Sequence, residues 1–164
     1  MNRKHFFIGA IAALSFMFAG CLKSDSNPTG NCVPNNTGVP TAAEITSLQA
    51  YLTSKSITAT QHPDGFFYII IAPGTGATPA LSSTITVKYT GTLENGNIFD
   101  QNQAGVSFVL SQLILGWQKG LPLIKKGGII KLFLPPSLAY GCAQAGSIPP
   151  GSNTIFTIDL IDVQ

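Results

Sequence analysis

Few side chains in this 164-residue chain are placed for covalent or metal chemistry. His5 sits in a basic leader and His62 in a His-Pro-Asp-Gly turn, and neither has the partner set of a catalytic triad. Cys21, Cys32 and Cys142 show no CxxC spacing, which argues against a zinc or dithiol site. Gly74-Thr75-Gly76 is followed by no Lys-Ser/Thr pair, so it reads as a loop and not a phosphate cradle. What is left is binding chemistry: the single tryptophan Trp117, the phenylalanines Phe99, Phe108 and Phe156, the tyrosine hydroxyls of Tyr89 and Tyr140, and the carboxylate of Asp100. Taken one at a time, such aromatics on strands are core residues, and Asp100 could merely cap a turn.

Charge excludes a further class. Arg3 and Lys4 fall in a segment read below as removed, and without them basic and acidic residues balance at seven each. Beyond that segment Lys125-Lys126 is the one adjacent basic pair, a solvated turn, so no nucleic-acid partner is expected. Hydrophobic residues make up 45% of the chain, and 17 glycines and 11 prolines suit a turn-rich β fold better than a helical bundle.

The elements that must position these residues are short. Thr41-Ala42-Ala43-Glu44 is a capping-box pattern, and Ile45, Leu48 and Leu52 recur at helical spacing, which predicts a helix over Ala42–Ser54. Phe66 to Ala72 reads as a strand ending at Pro73-Gly74. Thr84 to Leu93 alternates Ile85, Val87 and Tyr89 with polar residues, a strand with one buried face, and Asn95-Gly96 marks a hairpin. Val106, Phe108 and Leu110 alternate again. Gly116 to Leu121 opens a helix kept short or bent by Pro122. Ile129–Leu134 and Thr154–Val163 are further strands, the first stopped by Pro135-Pro136. The sum is an α+β fold, an antiparallel twisted sheet wrapped around one short helix, with an N-terminal helical extension.

The N-terminus reads as an address. Asn2 to His5 is a short basic region, and the thirteen residues Phe6 to Phe18 form an apolar run. A spanning helix needs about 20 residues; this length fits a signal peptide. Phe18-Ala19-Gly20-Cys21 resembles a bacterial lipobox, which implies cleavage before Cys21 and lipidation of its thiol, since small neighbours admit the peptidase and the thiol is the nucleophile. Leu22 to Pro40, rich in Ser, Asn, Thr, Gly and Pro, cannot bury enough surface to fold and reads as a tether. The expected organisation is a lipoprotein signal peptide over 1–20, a tether over 21–40, a helical extension over 41–61 and a folded domain over 62–164. Export permits a disulfide between Cys32 and Cys142, and the sequence leaves open whether the two meet.

Seven segments, in order, resemble the FK506-binding-protein type of peptidyl-prolyl cis-trans isomerase. Val87-Lys88-Tyr89-Thr90-Gly91 is similar to the family's V-x-Y-x-G, and Gly96-Asn97-Ile98-Phe99-Asp100 to its G-x-x-F-D. Phe108-Val109-Leu110-Ser111 matches F-x-L-G save at the last place, and Leu113-Ile114-Leu115-Gly116-Trp117 is similar to V-I-x-G-W. Pro135 to Gly141, Ile148-Pro149-Pro150 and Ile155 to Leu160 complete the series. The resemblance implies a small aromatic bowl lined by Tyr89, Phe99, Asp100, Phe108, Leu113, Ile114, Trp117, Tyr140, Ile148 and Phe156. In it Trp117 would be the floor and Phe99, Phe156 and Tyr89 walls. The backbone N–H of Ile114 and the hydroxyl of Tyr140 would bond substrate carbonyls, and Asp100 would polarise the rim or hold Tyr89.

The implied activity is rotation about the bond before proline, in exported proteins. It needs no nucleophile, metal or cofactor. The implied partners are proline-containing polypeptides, FK506-like macrolides, and a membrane reached through Cys21, in the cell envelope of a bacterium. Departures from the pattern are Ser111 in place of Gly, Val106 where many members carry a further pocket aromatic, and a Gly141–Ser147 loop one residue shorter than in the familiar human members and lacking His. That loop bears on substrate preference and macrolide affinity. Two other readings compete: a lipid-anchored chaperone or Pro-segment binding module with little turnover, and a secreted β domain for a small apolar ligand.

Overall fold

The computed structural model describes residues 38–164. The signal peptide, Cys21, Cys32 and nearly all of the tether lie outside the described residues. The elements run α1 (Ala42–Ser54), β1 (Thr60–Gln61), β2 (Phe67–Ala72), β3 (Thr84–Leu93), β4 (Ile98–Val109), α2 (Leu115–Gly120), β5 (Gly128–Leu134) and β6 (Thr154–Val163). Short 3-10 turns cover Leu110–Gln112, Leu121–Leu123 and Pro136–Leu138.

α1 starts where its capping box requires. Thr41 Oγ1 accepts from Glu44 N at 3.2 Å, and Glu44 Oε2 accepts from Thr41 N at 2.7 Å. It stops in a Schellman arrangement: Ser56 takes φ 54°, and Ile57 N donates back to Leu52 O at 2.9 Å.

The six strands form one antiparallel sheet in the order β1-β2-β5-β6-β3-β4. Its alternation separates two cores. On one face Ile130, Leu132 and Leu134 of β5 and Phe156, Ile158 and Leu160 of β6 pack with Trp117 and Leu121 of the α2 region. On the other face Phe67, Phe133 and Ile155 receive Leu48 and Leu52 of α1. The period-2 geometry of the strands places Phe133 and Ile155 opposite their neighbours. Both leucines of α1 are essentially inaccessible, and each contributes about 1.5–3 kcal/mol by leaving water. The fold is thus the expected α+β arrangement, with α2 in the hollow of the sheet and the N-terminal helix on its back. β1 lies in the segment assigned to the extension, and it pairs with β2, so the sheet begins before residue 62.

Close packing of α2 on β5 depends on glycine. A Cβ at Gly116 would lie 2.4 Å from Leu134 Cδ1, so only hydrogen lets the helix approach.

Candidate active site

Tyr89 comes from the middle of β3, Asp100 and Phe108 from the two ends of β4, Leu113, Ile114 and Trp117 from the turn into α2, Tyr140 from the loop after β5, and Phe156 from β6. Together they line one hollow of about 200 Å³. Phe99 and Ile148 are not among its lining residues. Phe99 meets Tyr140 edge-on, with ring centroids 5.9 Å apart, and Phe156 in the same manner at 5.5 Å. Ile148 is buried, in a loop closed by reciprocal bonds with Ala145.

Trp117 is 4% exposed and stands perpendicular to two rings, Tyr89 and Phe156, each with its centroid 5.3 Å away. Such T-shaped contacts align ring edges with ring faces and fix the orientation of all three. The indole N–H is buried without an acceptor among the described residues. Room for the rings comes from Gly91, where a Cβ would lie 2.6 Å from Phe99 Cζ and 2.9 Å from Phe156 Cε1.

Polar groups at the hollow are few. Tyr89 Oη donates to Asp100 Oδ2 at 2.6 Å. Burial, then this bond, pushes the Tyr89 hydroxyl well above the usual tyrosine value. Burial and the nearby Asp100 charge also raise Tyr140. Both hydroxyls therefore keep their protons at neutral pH and can donate. The Tyr140 hydroxyl makes no hydrogen bond to another described residue, and the same is true of the Ile114 N–H, which precedes the first turn of α2. The Ile114 carbonyl, by contrast, accepts from Trp117 N and Gln118 N.

Sequence reasoning passed over the groups that brace these donors. Gln118 donates from Nε2 to Leu113 O at 2.7 Å and to Ser111 O at 3.2 Å, tying down the loop that carries Ile114. Glu44, recognised only as a cap, also bonds Ser137, three residues before Tyr140. No local pattern announces either contact. Two residues past Tyr140, Cys142 is disulfide-bonded. His62 stacks on Phe66 with centroids 4.4 Å apart, which makes it part of a turn and not of the hollow.

Comparison with known proteins agrees with this geometry. A family model described as FKBP-type peptidyl-prolyl cis-trans isomerase matches residues 76–161. FkpA of Escherichia coli is 45% identical over 103 residues, covering 61% of this chain and 38% of that protein. Its crystal structure superposes with a TM-score of 0.68 at 38% identity, over 73% of this chain and 58% of that one. The outer membrane protein MIP of Legionella longbeachae is 45% identical over 106 residues, 62% of this chain and 46% of its own. A peptidyl-prolyl cis-trans isomerase from Pseudomonas syringae superposes with a TM-score of 0.66 at 31% identity, over 77% of this chain and 97% of that one. The chain spans less than half the length of these two curated relatives. An antiparallel sheet with α2 packed on one face, an aromatic hollow lined from both and a family match across more than half of the residues make this chain a member of the FKBP-type peptidyl-prolyl cis-trans isomerase family.

Proposed function

We propose that the chain accelerates cis-trans rotation of X-Pro bonds by holding a twisted prolyl amide in the hollow floored by Trp117. The observation that carries this is the pairing of a small aromatic cavity with two donors, Ile114 N–H and Tyr140 Oη, that have no acceptor among the described residues. Amide resonance sets a barrier of about 18–20 kcal/mol to rotation. At the transition state resonance is lost and the carbonyl carries less negative charge. Water favours the planar, more polar ground state, so transfer to an apolar hollow favours the twisted form relative to it. The rings of Trp117, Tyr89, Phe108 and Phe156 supply that medium and fit a pyrrolidine ring. Ile114 N–H and Tyr140 Oη bond carbonyls of the flanking peptide and hold it while the prolyl bond turns. Asp100 acts through Tyr89, fixing its ring, and neither gives nor takes a proton. FK506-like macrolides would occupy the same hollow.

The natural substrates are proline-containing polypeptides of a bacterial cell envelope, with the chain tethered by a lipid on Cys21. The leader sequence and the similarity to an outer membrane protein support this placement. The disulfide at Cys142 fits an oxidising compartment. Cys21 and Cys32 are the other two cysteines; a Cys21 thiol committed to lipid leaves Cys32 as the partner.

A coupled assay on a Phe-Pro or Leu-Pro tetrapeptide tests the activity. Catalysis above the spontaneous rate, abolished by FK506, is the expected result. A rate equal to the uncatalysed one would overturn the reading, and aggregation suppression that persists in that case would favour a binding module. Labelling with radioactive palmitate, lost in Cys21→Ala, tests the anchor.

A further inference from the structure

We propose that Glu44, on the N-terminal helix, is a positioning residue for Tyr140. The assignment rests on the isomerase reading of the pocket. Glu44 is a carboxylate only 7% exposed. One oxygen, Oε2, accepts from Thr41 N at 2.7 Å and Thr41 Oγ1 at 3.1 Å, which closes the cap of α1. The other, Oε1, accepts from Ser137 N at 3.0 Å and Ser137 Oγ at 2.7 Å, and Ser137 Oγ also lies 2.9 Å from Oε2. The carboxylate is thereby shared between two chain segments 93 residues apart.

Ser137 is where such a partner is needed. The 3-10 turn Pro136–Leu138 follows Pro135, and neither proline has an N–H. The first donor of the turn is Ser137 N, and a turn of this kind offers its opening N–H no internal acceptor. Leu138 N and Ala139 N find Pro135 O and Pro136 O, and Gly141 N also returns to Pro136 O at 2.8 Å. Glu44 fills the vacant place and acts as an N-cap supplied from another element. The turn so fixed delivers Tyr140 to the hollow, against Phe99. A half-buried donor left without its carboxylate partner loses that bond, and the turn is then free to shift. The N-terminal helix thus sets the geometry of a substrate-binding hydroxyl.

The test is a double-mutant cycle in the full chain, Glu44→Gln with Tyr140→Phe, read by kcat and KM on the tetrapeptide and by amide exchange at Ser137 and Leu138. If Glu44 acts through Tyr140, E44Q should lower kcat/KM about five- to tenfold with Tyr140 present and less than about twofold in the Tyr140→Phe background. Exchange at Ser137 should rise at least about tenfold. Leu48→Ala, which weakens the same helix without touching Ser137, should lower Tm and leave kcat/KM unchanged within about twofold. Equal losses in both backgrounds, unchanged exchange at Ser137, or a loss of turnover in Leu48→Ala matching that of E44Q would overturn the assignment. If E44Q does not fold, Ser137→Ala, which leaves the capping box intact, carries the same comparison. A wild type without isomerase activity would defeat the pocket reading alone, and the exchange measurement would still decide whether Glu44 holds the turn.

Discussion

Tyr89 reaches diagonally across the β3–β4 pair to Asp100, its phenol donating to the carboxylate at 2.6 Å, while Asn102 is the residue directly opposite Tyr89. The bond lies in the regular stretch between two register irregularities, one between Val87 and Tyr89 and one between Gly91 and Thr92. It locks a ring that also packs edge-on with Trp117. Asp100→Asn and Tyr89→Phe should each lower kcat/KM about tenfold, close to 1.4 kcal/mol. Their effects should not add, because they remove the same contact. The coupled isomerase assay on both single variants and the double variant checks this.

The raised tyrosines give a pH dependence whose sign is fixed. Tyr89 and Tyr140 hold their protons more tightly in the folded chain than at the ordinary value of 10.0, mainly through burial. Above pH 10 the unfolded chain releases these protons before the folded one does. The folded state then binds more protons, and stability falls as pH rises. Below pH 10 this contribution is fully present. Thermal midpoints recorded from pH 8 to 11 should stay level with respect to these groups up to about pH 10 and drop beyond it, with phenolate absorbance lagging that of the denatured chain.

Gly91→Ala should disable the hollow. The new methyl would lie 2.6 Å from Phe99 Cζ and 2.9 Å from Phe156 Cε1, atoms of rigid rings that cannot swing aside. Overpacking of this kind costs about 1–3 kcal/mol. Urea denaturation should show that loss, and tetrapeptide turnover should fall with it because Phe156 lines the hollow.

The linkage at Cys142 should map to Cys32. Peptide mass spectrometry of the non-reduced, membrane-extracted protein should recover these two peptides joined, with Cys21 carrying the lipid. A Cys21–Cys142 peptide would reverse the assignment of both thiols.

Where local chemistry decides an element, the sequence was a good guide. Thr41 and Glu44 bound α1, alternation and Asn95-Gly96 bound β3, and Phe156, Ile158 and Leu160 share the face expected of them. The strand expected from Phe66 starts one residue later. β1, two residues long, has no signature except its pairing with β2. The convergence of Tyr89, Trp117, Tyr140 and Phe156 on one hollow was legible only through resemblance, since nothing in their spacing brings them together without the fold. Phe99, expected in the lining on the same grounds, packs edge-on behind two rings that line the hollow, Tyr140 and Phe156. Gln118 and the Glu44–Ser137 link escaped notice for a related reason: each is a tertiary contact of a polar side chain that looks ordinary in its own segment.

The sheet has apolar side chains on both faces, and among the described residues α1, with Ile57 and Ala59 just after it, packs on the back. A fragment trimmed to residues 62–164 would strip Leu48 and Leu52 from Phe67, Phe133 and Ile155 and uncover a greasy surface next to an opened sheet edge. Such a fragment would be expected to self-associate during purification. Expression intended for kinetics or crystallisation should begin upstream of Thr41, so that the helix and its cap travel with the sheet and its hollow.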